Sequence, residues 1–134
     1  KGVFTMIGSK EWREACLQKG LSQEFLDSFL QNRHKHEKAR NERIEQARQK
    51  ASKIAELLKD KYQAEKVYLY GSLVWGKFHE RSDIDILVVN LKGDYWKAWV
   101  EVEAIADPFP FDLLCYEDAF PSLREKILEK GLEL

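Results

Sequence analysis

Two aspartates stand at the head of an apolar run. In YGSLVWGKFHERSDIDILVV, residues 70–89, Asp83 and Asp85 flank Ile84 and lead into Ile86, Leu87, Val88 and Val89, and the pair Gly71-Ser72 stands ten residues ahead of them. Side chains alternate along a strand, so Asp83 and Asp85 point the same way, with Cα atoms roughly 6.6 Å apart. Carboxylates so placed converge on one cation or on a close pair. Without a counter-charge, two such groups raise each other's pKa, and a divalent cation reverses that logic. Magnesium prefers hard oxygen ligands and is usually held by one or two carboxylates together with substrate phosphates. Asp112, near the start of FDLLCY, supplies a third carboxylate if its strand neighbours the first. The Gly71-Ser72 turn follows a strand and opens a helical turn. Its N–H groups face an anion, Gly71 lets a phosphate approach the main chain, and Ser72 adds a hydroxyl donor. The parts together describe a metal-dependent phosphate site, in which two metal ions about 3.5–4 Å apart would activate an attacking oxygen and stabilise a leaving one. Taken singly, each feature is ordinary: an aspartate beside a strand is usually a cap or an edge residue, and Gly-Ser is usually a turn. Their order and placement carry the reading.

The elements that position these residues are legible in outline. Strands are expected over Lys66–Tyr70, Asp83–Val89 and Phe111–Tyr116, from their β-branched and aromatic content. A short helical turn follows Gly71-Ser72, and 76–82 reads as a loop. Asp94 is a cap for a helix from Tyr95 to Ala106, which Asp107-Pro108 and Phe109-Pro110 end. Pro121 suits the first turn of a last helix, with Leu123, Ile127 and Leu128 on its apolar face and Gly131 as its C-terminal cap. Upstream, Ser9 and Ser22 cap two short helices across 9–31, divided at Gly20, the second with Phe25, Leu26, Phe29 and Leu30 on one face. A separate long helix is expected from about Arg33 to Tyr62. Its stripe Ile44, Ala47, Ala51, Ile54, Leu58 is the seam of an amphipathic helix that packs on the sheet or on another subunit. The region from Arg33 to Lys66 holds eleven Lys/Arg against six Asp/Glu. With no aromatic interleaved in the helix 33–62 before Tyr62, a single-stranded nucleic acid is not expected to stack there. The four tryptophans, Trp12, Trp75, Trp96 and Trp99, are read as core candidates. The expected organisation is one compact domain, with residues 1–62 an N-terminal helical extension and 63–134 the core.

Bulk properties narrow the class. With 134 residues, a formal net charge of −1, 44% hydrophobic and 34% charged residues, the chain reads as an ordinary globular domain, and its balance demands neither nucleic acid nor membrane. No apolar run approaches bilayer length. Cys16 and Cys115 make neither a disulfide framework nor a zinc quartet, and both are read as reduced thiols of a cytoplasmic protein, Cys115 as a small buried hydrophobe. Met6 is the only methionine, and Lys1–Thr5 reads as a remnant ahead of it.

The combination of GS, ten residues, DxD and a later strand aspartate resembles the DNA polymerase β-like nucleotidyltransferase superfamily, and the brevity of the chain resembles its minimal nucleotidyltransferase branch. The resemblance covers about Val67 to Leu134, including the ending SLREKILEKGLEL. It implies an α+β fold: a small mixed sheet with helices packed on it, here behind an N-terminal helical extension. It implies transfer of a nucleoside monophosphate, AMP from ATP in the favoured reading, with release of pyrophosphate. Carried over by position, Asp83 and Asp85 would bind magnesium in a two-metal site. Asp112 would help hold one metal and activate the acceptor hydroxyl, and Gly71 and Ser72 would hold the triphosphate. Small members commonly read GS-x-A-R-G. Here the stretch is GSLVWG, so Trp75 replaces a frequent arginine, with Lys77, His79 and Arg81 as nearby substitutes. Lys77 and Arg81 are read first as solvated loop charges, and His79 as no metal ligand. Such domains are often antitoxins of helical HEPN-domain toxins, some attaching AMP to a tyrosine of that partner. The chain itself shows no HEPN pattern, since Arg33 with His34 and His36 has the wrong spacing. Three readings stay open: a transferase with a protein acceptor such as a HEPN toxin, a non-catalytic antitoxin that neutralises its partner by contact, and a transferase acting on a small molecule such as an aminoglycoside.

Overall fold

A computed structural model describes residues 6–134, so the reading of Lys1–Thr5 lies outside the described residues. The chain divides into two compact units, one ending at Asn41 and the other spanning Glu42–Leu134. In the first, α1 (Lys10–Gln18) starts at Ser9, whose hydroxyl accepts from the Trp12 N–H at 3.1 Å. Gly20, at φ +94°, turns the chain, and the Ser22 hydroxyl accepts from the Phe25 N–H at 3.0 Å. Leu26 is buried, the Trp12 and Phe29 rings stack at 5.9 Å, and Arg13 pairs with Asp27 at 3.0 Å.

Helix α2 runs unbroken over Gln23–Asp60, 38 residues. The expected break near Arg33 is absent, and the physical reason is plain: no Gly or Pro occurs between Gln23 and Asp60, and the stretch is rich in Ala, Lys, Arg, Glu and Gln. A change in apolar content does not stop a helix.

In the second unit, strands β1 (Lys66–Tyr70), β2 (Ile84–Val89), β3 (Phe111–Cys115) and β4 (Leu132–Glu133) form a mixed sheet of order β3-β2-β1-β4. β1 pairs antiparallel with β2 and with β4, and β2 pairs parallel with β3. A parallel pair needs a crossover, and α4 (Tyr95–Ala106) supplies it. Asp94 caps α4 by accepting from the Trp96 N–H at 2.9 Å. The short strand β4 was not expected. It follows α5 (Pro121–Lys130) directly, and Gly131 makes that possible: a Cβ there would lie 2.5 Å from the Ile127 carbonyl oxygen. Gly131 has φ −79°, so closeness to α5, not a left-handed cap, is what demands glycine.

The sheet has two unlike faces. Val67, Leu69, Ile84, Ile86, Val88 and Leu113 alternate onto one, where Ala47, Ala51, Ile54 and Leu58 of α2 and Ala98, Val102 and Ala106 of α4 cover them. Tyr68, Tyr70 and Leu87 lie on the other, with Ala119 and Ile127 against them. Burying the first face holds the unit together, at about 25 cal/mol per Å² of apolar surface. Of the tryptophans expected in the core, Trp99 packs against the cluster on the first face. Trp96 is 68% exposed and Trp75 36%, while Trp12 and Trp99 are half-buried. Cys115 is likewise half-buried, with its thiol pKa pushed up by burial and by Asp118 and Glu117. Among the described residues, no helix is long and apolar enough to cross a membrane.

Candidate active site

The strand registers bring the acidic residues together. Asp85 is the partner of Asp112 across the parallel β2–β3 pair, and of Tyr70 across the antiparallel β1–β2 pair. Partners in register share a face, so Tyr70, Asp85 and Asp112 stand abreast on three strands, on the thinly covered side. Asp83 lies one residue ahead of β2 rather than inside it. Asp83 and Asp112 are exposed and Asp85 is half-buried. The Asp85 carboxyl is pushed up to about 6, first by burial, then by the charges of Asp112 and Asp83. The charges of Asp112 and Asp83 thus act on Asp85, an arrangement that a counter-cation would relieve.

Gly71 closes the site from the main chain. It takes φ +81°, and a Cβ there would fall 2.1 Å from Oδ2 of Asp85. Only a residue without a side chain lets the backbone and that carboxylate share the space. Ser72 follows as the first residue of α3 (Ser72–Trp75), where the N–H groups of Val74 and Trp75 donate to the Gly71 carbonyl at 3.1 and 2.8 Å. The start of α3 and the Asp85 carboxylate thus meet at Gly71.

Tyr70 is the residue that sequence reasoning missed here. Burial, then Asp112 and Asp85, push its phenol pKa up. The signal that could have found it is its place immediately before Gly71, but only the register with Asp85 makes it a member of the group. Trp75 leaves no cation in the arginine position of the motif. Its indole N–H donates to the Lys130 carbonyl at 2.8 Å, its ring is 6.2 Å from that of Tyr70, and Nζ of Lys126 lies 4.2 Å over it. Lys77, His79 and Arg81 are exposed loop residues. His79 accepts at Nδ1 from the Arg81 N–H at 3.1 Å, and its backbone N–H donates to the Ser82 hydroxyl at 2.9 Å, so both bonds hold the loop.

The donor set fits magnesium in kind: all oxygen, all anionic, one carboxylate partly desolvated. Among the described residues, no three His, Cys, Asp or Glu side chains are drawn tightly enough to hold an ion by themselves.

The family model described as polymerase beta, nucleotidyltransferase matches residues 52–134. Among solved structures, a toxin–antitoxin complex with AMP-PNP is 28% identical, covering 62% of this chain and 70% of that one, with a TM-score of 0.53. An MntA–HpeT toxin–antitoxin complex carrying two Asp→Glu substitutions is 26% identical, with the same coverage and a TM-score of 0.52. A structure described as a minimal nucleotidyltransferase is 24% identical, covering 68% of this chain and 95% of that one at a TM-score of 0.57, and shares the fold. No curated protein matches.

Proposed function

The chain belongs to the polymerase beta nucleotidyltransferase family, and from that premise we propose that it is a magnesium-dependent enzyme that moves AMP from ATP to a protein hydroxyl, the acceptor being a HEPN-domain toxin. The observation that carries this reading is the register Asp85↔Asp112, with Asp83 two residues upstream and Gly71 against the Asp85 carboxylate. Support for the nucleotide comes from the AMP-PNP in a similar complex. Support for the partner comes from the toxin–antitoxin character of that complex and of MntA–HpeT. The latter's two Asp→Glu substitutions stand two positions apart, the spacing of Asp83 and Asp85.

In this reading Asp83 and Asp85 hold magnesium, with Asp112 as the third carboxylate. The chemistry such a metal would supply there is neutralisation of the triphosphate and of charge on the leaving group. Gly71 leaves room for the phosphates beside the main chain, and the Ser72 hydroxyl donates to them. Asp112 accepts the proton of the acceptor hydroxyl as its oxygen bonds to the α-phosphorus, and the bond from that phosphorus to pyrophosphate breaks. The raised pKa of Asp85 belongs to the metal-free protein, and a bound cation lowers it.

A second reading is favoured by Trp75. The ring is anchored to α5 through Lys130, so no guanidinium meets the phosphates from α3, and the domain would act as an antitoxin by contact alone. Calorimetric titration with ATP, GTP, CTP and UTP, with and without magnesium, separates the two. The transferase binds ATP only with magnesium, and the Asp83→Asn/Asp85→Asn double variant loses at least a hundredfold in affinity. Absence of triphosphate binding by the folded protein overturns the transferase and leaves the contact antitoxin. Where ATP binds, label carried from α-labelled ATP onto a tyrosine of a purified HEPN toxin tests the acceptor.

A further inference from the structure

Asp112 stands on β3, an edge strand of the sheet, and is exposed. The ion pairs among the described residues, Arg13–Asp27 and Lys61–Glu101, do not include it. An exposed aspartate hops among staggered rotamers. A carboxylate that takes a proton from an acceptor must nevertheless stand within about 2.6–3.2 Å of it. Tyr70 is placed to settle the rotamer. It is the partner of Asp85, which is the partner of Asp112, so the three share one row. The Cα atoms of Tyr70 and Asp112 are two strand spacings apart, roughly 9.5 Å, a gap that a phenol and a carboxylate leaning toward each other close. Burial first, then the charges of Asp112 and Asp85, then a side-chain hydrogen bond with Asp112 push the phenol pKa up. A phenol is protonated at neutral pH in any case, so Tyr70 is the donor of that bond. Its ring is held in turn. Tyr70 is 7% exposed and clusters with Leu87 and Ile127. The Trp75 ring lies 6.2 Å away at 50°, and the Trp75 indole N–H is tied to the Lys130 carbonyl of α5 at 2.8 Å.

We propose that Tyr70 is a positioning residue: its hydroxyl donates to one oxygen of the Asp112 carboxylate and fixes the rotamer that presents the other oxygen to the acceptor hydroxyl, while Trp75 and α5 hold the ring. A carboxylate has lone pairs enough for both partners. Tyr70 forms no covalent bond and gives up no proton; the proton of the acceptor goes to Asp112. What Tyr70 supplies is order, since a side chain already held in the productive rotamer loses no freedom when the acceptor arrives. Trp75, in the arginine position of the motif, then serves the site as a buttress rather than as a charge. The consequence for catalysis rests on the transferase reading, whereas the hold of Tyr70 on Asp112 does not. If Tyr70 were only a packed ring, removing its hydroxyl would leave Asp112 as it was.

The test is Tyr70→Phe, which removes the hydroxyl and keeps the ring. Three-bond NMR couplings from Cγ of Asp112 to its backbone N and C′ read χ1 in the full, metal-free chain at neutral pH. The wild type should give the values of one staggered rotamer, and Tyr70→Phe values averaged over several. Trp75→Leu, which keeps the hydroxyl and removes the buttress, should fall between the two. Averaged couplings in the wild type overturn the proposal, as do identical couplings in the wild type and Tyr70→Phe. Transfer from α-labelled ATP to a purified HEPN toxin then reads the consequence. Tyr70→Phe should lower kcat about tenfold and leave KM for ATP within about twofold. An unchanged kcat, or a rise in KM that accounts for the whole loss, overturns the positioning role. Absence of transfer by the wild type sinks the transferase reading instead, and the couplings alone then decide whether Tyr70 holds Asp112.

Discussion

The two faces of the sheet are made by the same strands and alternate residues, yet they do opposite work. On one face Ile84, Ile86 and Val88 of β2 are fully buried under α2 and α4. On the other, one residue out of phase, Asp85 shares its row with Tyr70 and Asp112. Among the described residues, Ala119 and Ile127 join the buried cluster with Tyr68, Tyr70 and Leu87 there, and Val89, Leu114, Tyr116 and Leu123 pack half-buried against it. A strand of period two lets stability and chemistry be chosen independently. The dry face can tolerate no charge, and the half-open face can hold a carboxylate at a cost because its neighbour supplies the stability.

The comparison breaks most visibly at Ile86. Ile86→Ala removes buried volume on the covered face and should cost about 2–5 kcal/mol in chemical denaturation, while leaving magnesium-dependent nucleotide affinity within a factor of two or three at temperatures where the protein stays folded. A large loss of affinity without unfolding would show that the faces are not separate. Next in size is Gly71→Ala. Its Cβ collides with Oδ2 of Asp85, and the backbone holds φ +81°, so the variant should lose about 1–3 kcal/mol and also lose nucleotide binding. Here stability and affinity fall together, because Gly71 serves the open face. A variant that binds normally would remove Gly71 from the site.

How much of this was legible follows from where each residue's constraint lies. Asp83, Asp85, Gly71 and Ser72 stand out as candidates because the signal is local: a carboxylate inside an apolar strand with another just ahead of it, and a Gly-Ser pair that opens a helical turn. Strands β1 and β2, the Asp94 cap and helix α4 follow from local pattern in the same way. The pairing of Asp85 with Asp112 and with Tyr70 depends on registers between distant segments, which no window of sequence carries. β4 is two residues long and exists because Gly131 lets it return beside β1. Helix α2 runs through the expected boundary near Arg33 because nothing there terminates a helix. Tryptophan size suggested burial, but Trp96 is exposed, its ring against those of Tyr95 and Trp99 on the same helix.

The comparison sharpens at Asp85. Its folded pKa of about 6 lies above the ordinary 3.8. The folded state therefore binds more protons than the unfolded one between those values, and this group's contribution to stability falls as pH rises from about 4 to about 6. At neutral pH the ionised carboxylate is a net cost. Asp85→Asn should gain about 1–2 kcal/mol at pH 7, after allowing for solvent access to the group, and should gain little at pH 4. It should at the same time lose magnesium-dependent nucleotide binding. Opposite signs for Ile86→Ala and Asp85→Asn, adjacent residues on opposite faces, would express the division directly. Destabilisation of the asparagine variant at pH 7 would sink this account of Asp85.

The smallest effect tests whether Asp112 belongs to the same electrostatic unit. Burial is the first cause of the raised Asp85 pKa and Asp112 the second. Asp112→Asn removes the second cause and leaves the first, so Asp85 should titrate lower than in the wild type but still above an ordinary aspartate. Carboxyl-detected NMR titration of the metal-free protein reads this directly, and saturating magnesium should shrink the difference between the two proteins, because the cation supplies the compensation that the missing charge no longer requires. Asp112 is exposed, so its charge is screened, and the same comparison at about 0.5 M salt should narrow the gap further. An Asp85 pKa that does not move on Asp112→Asn would mean that the register places the residues side by side without coupling them, and the third carboxylate would drop out of the site.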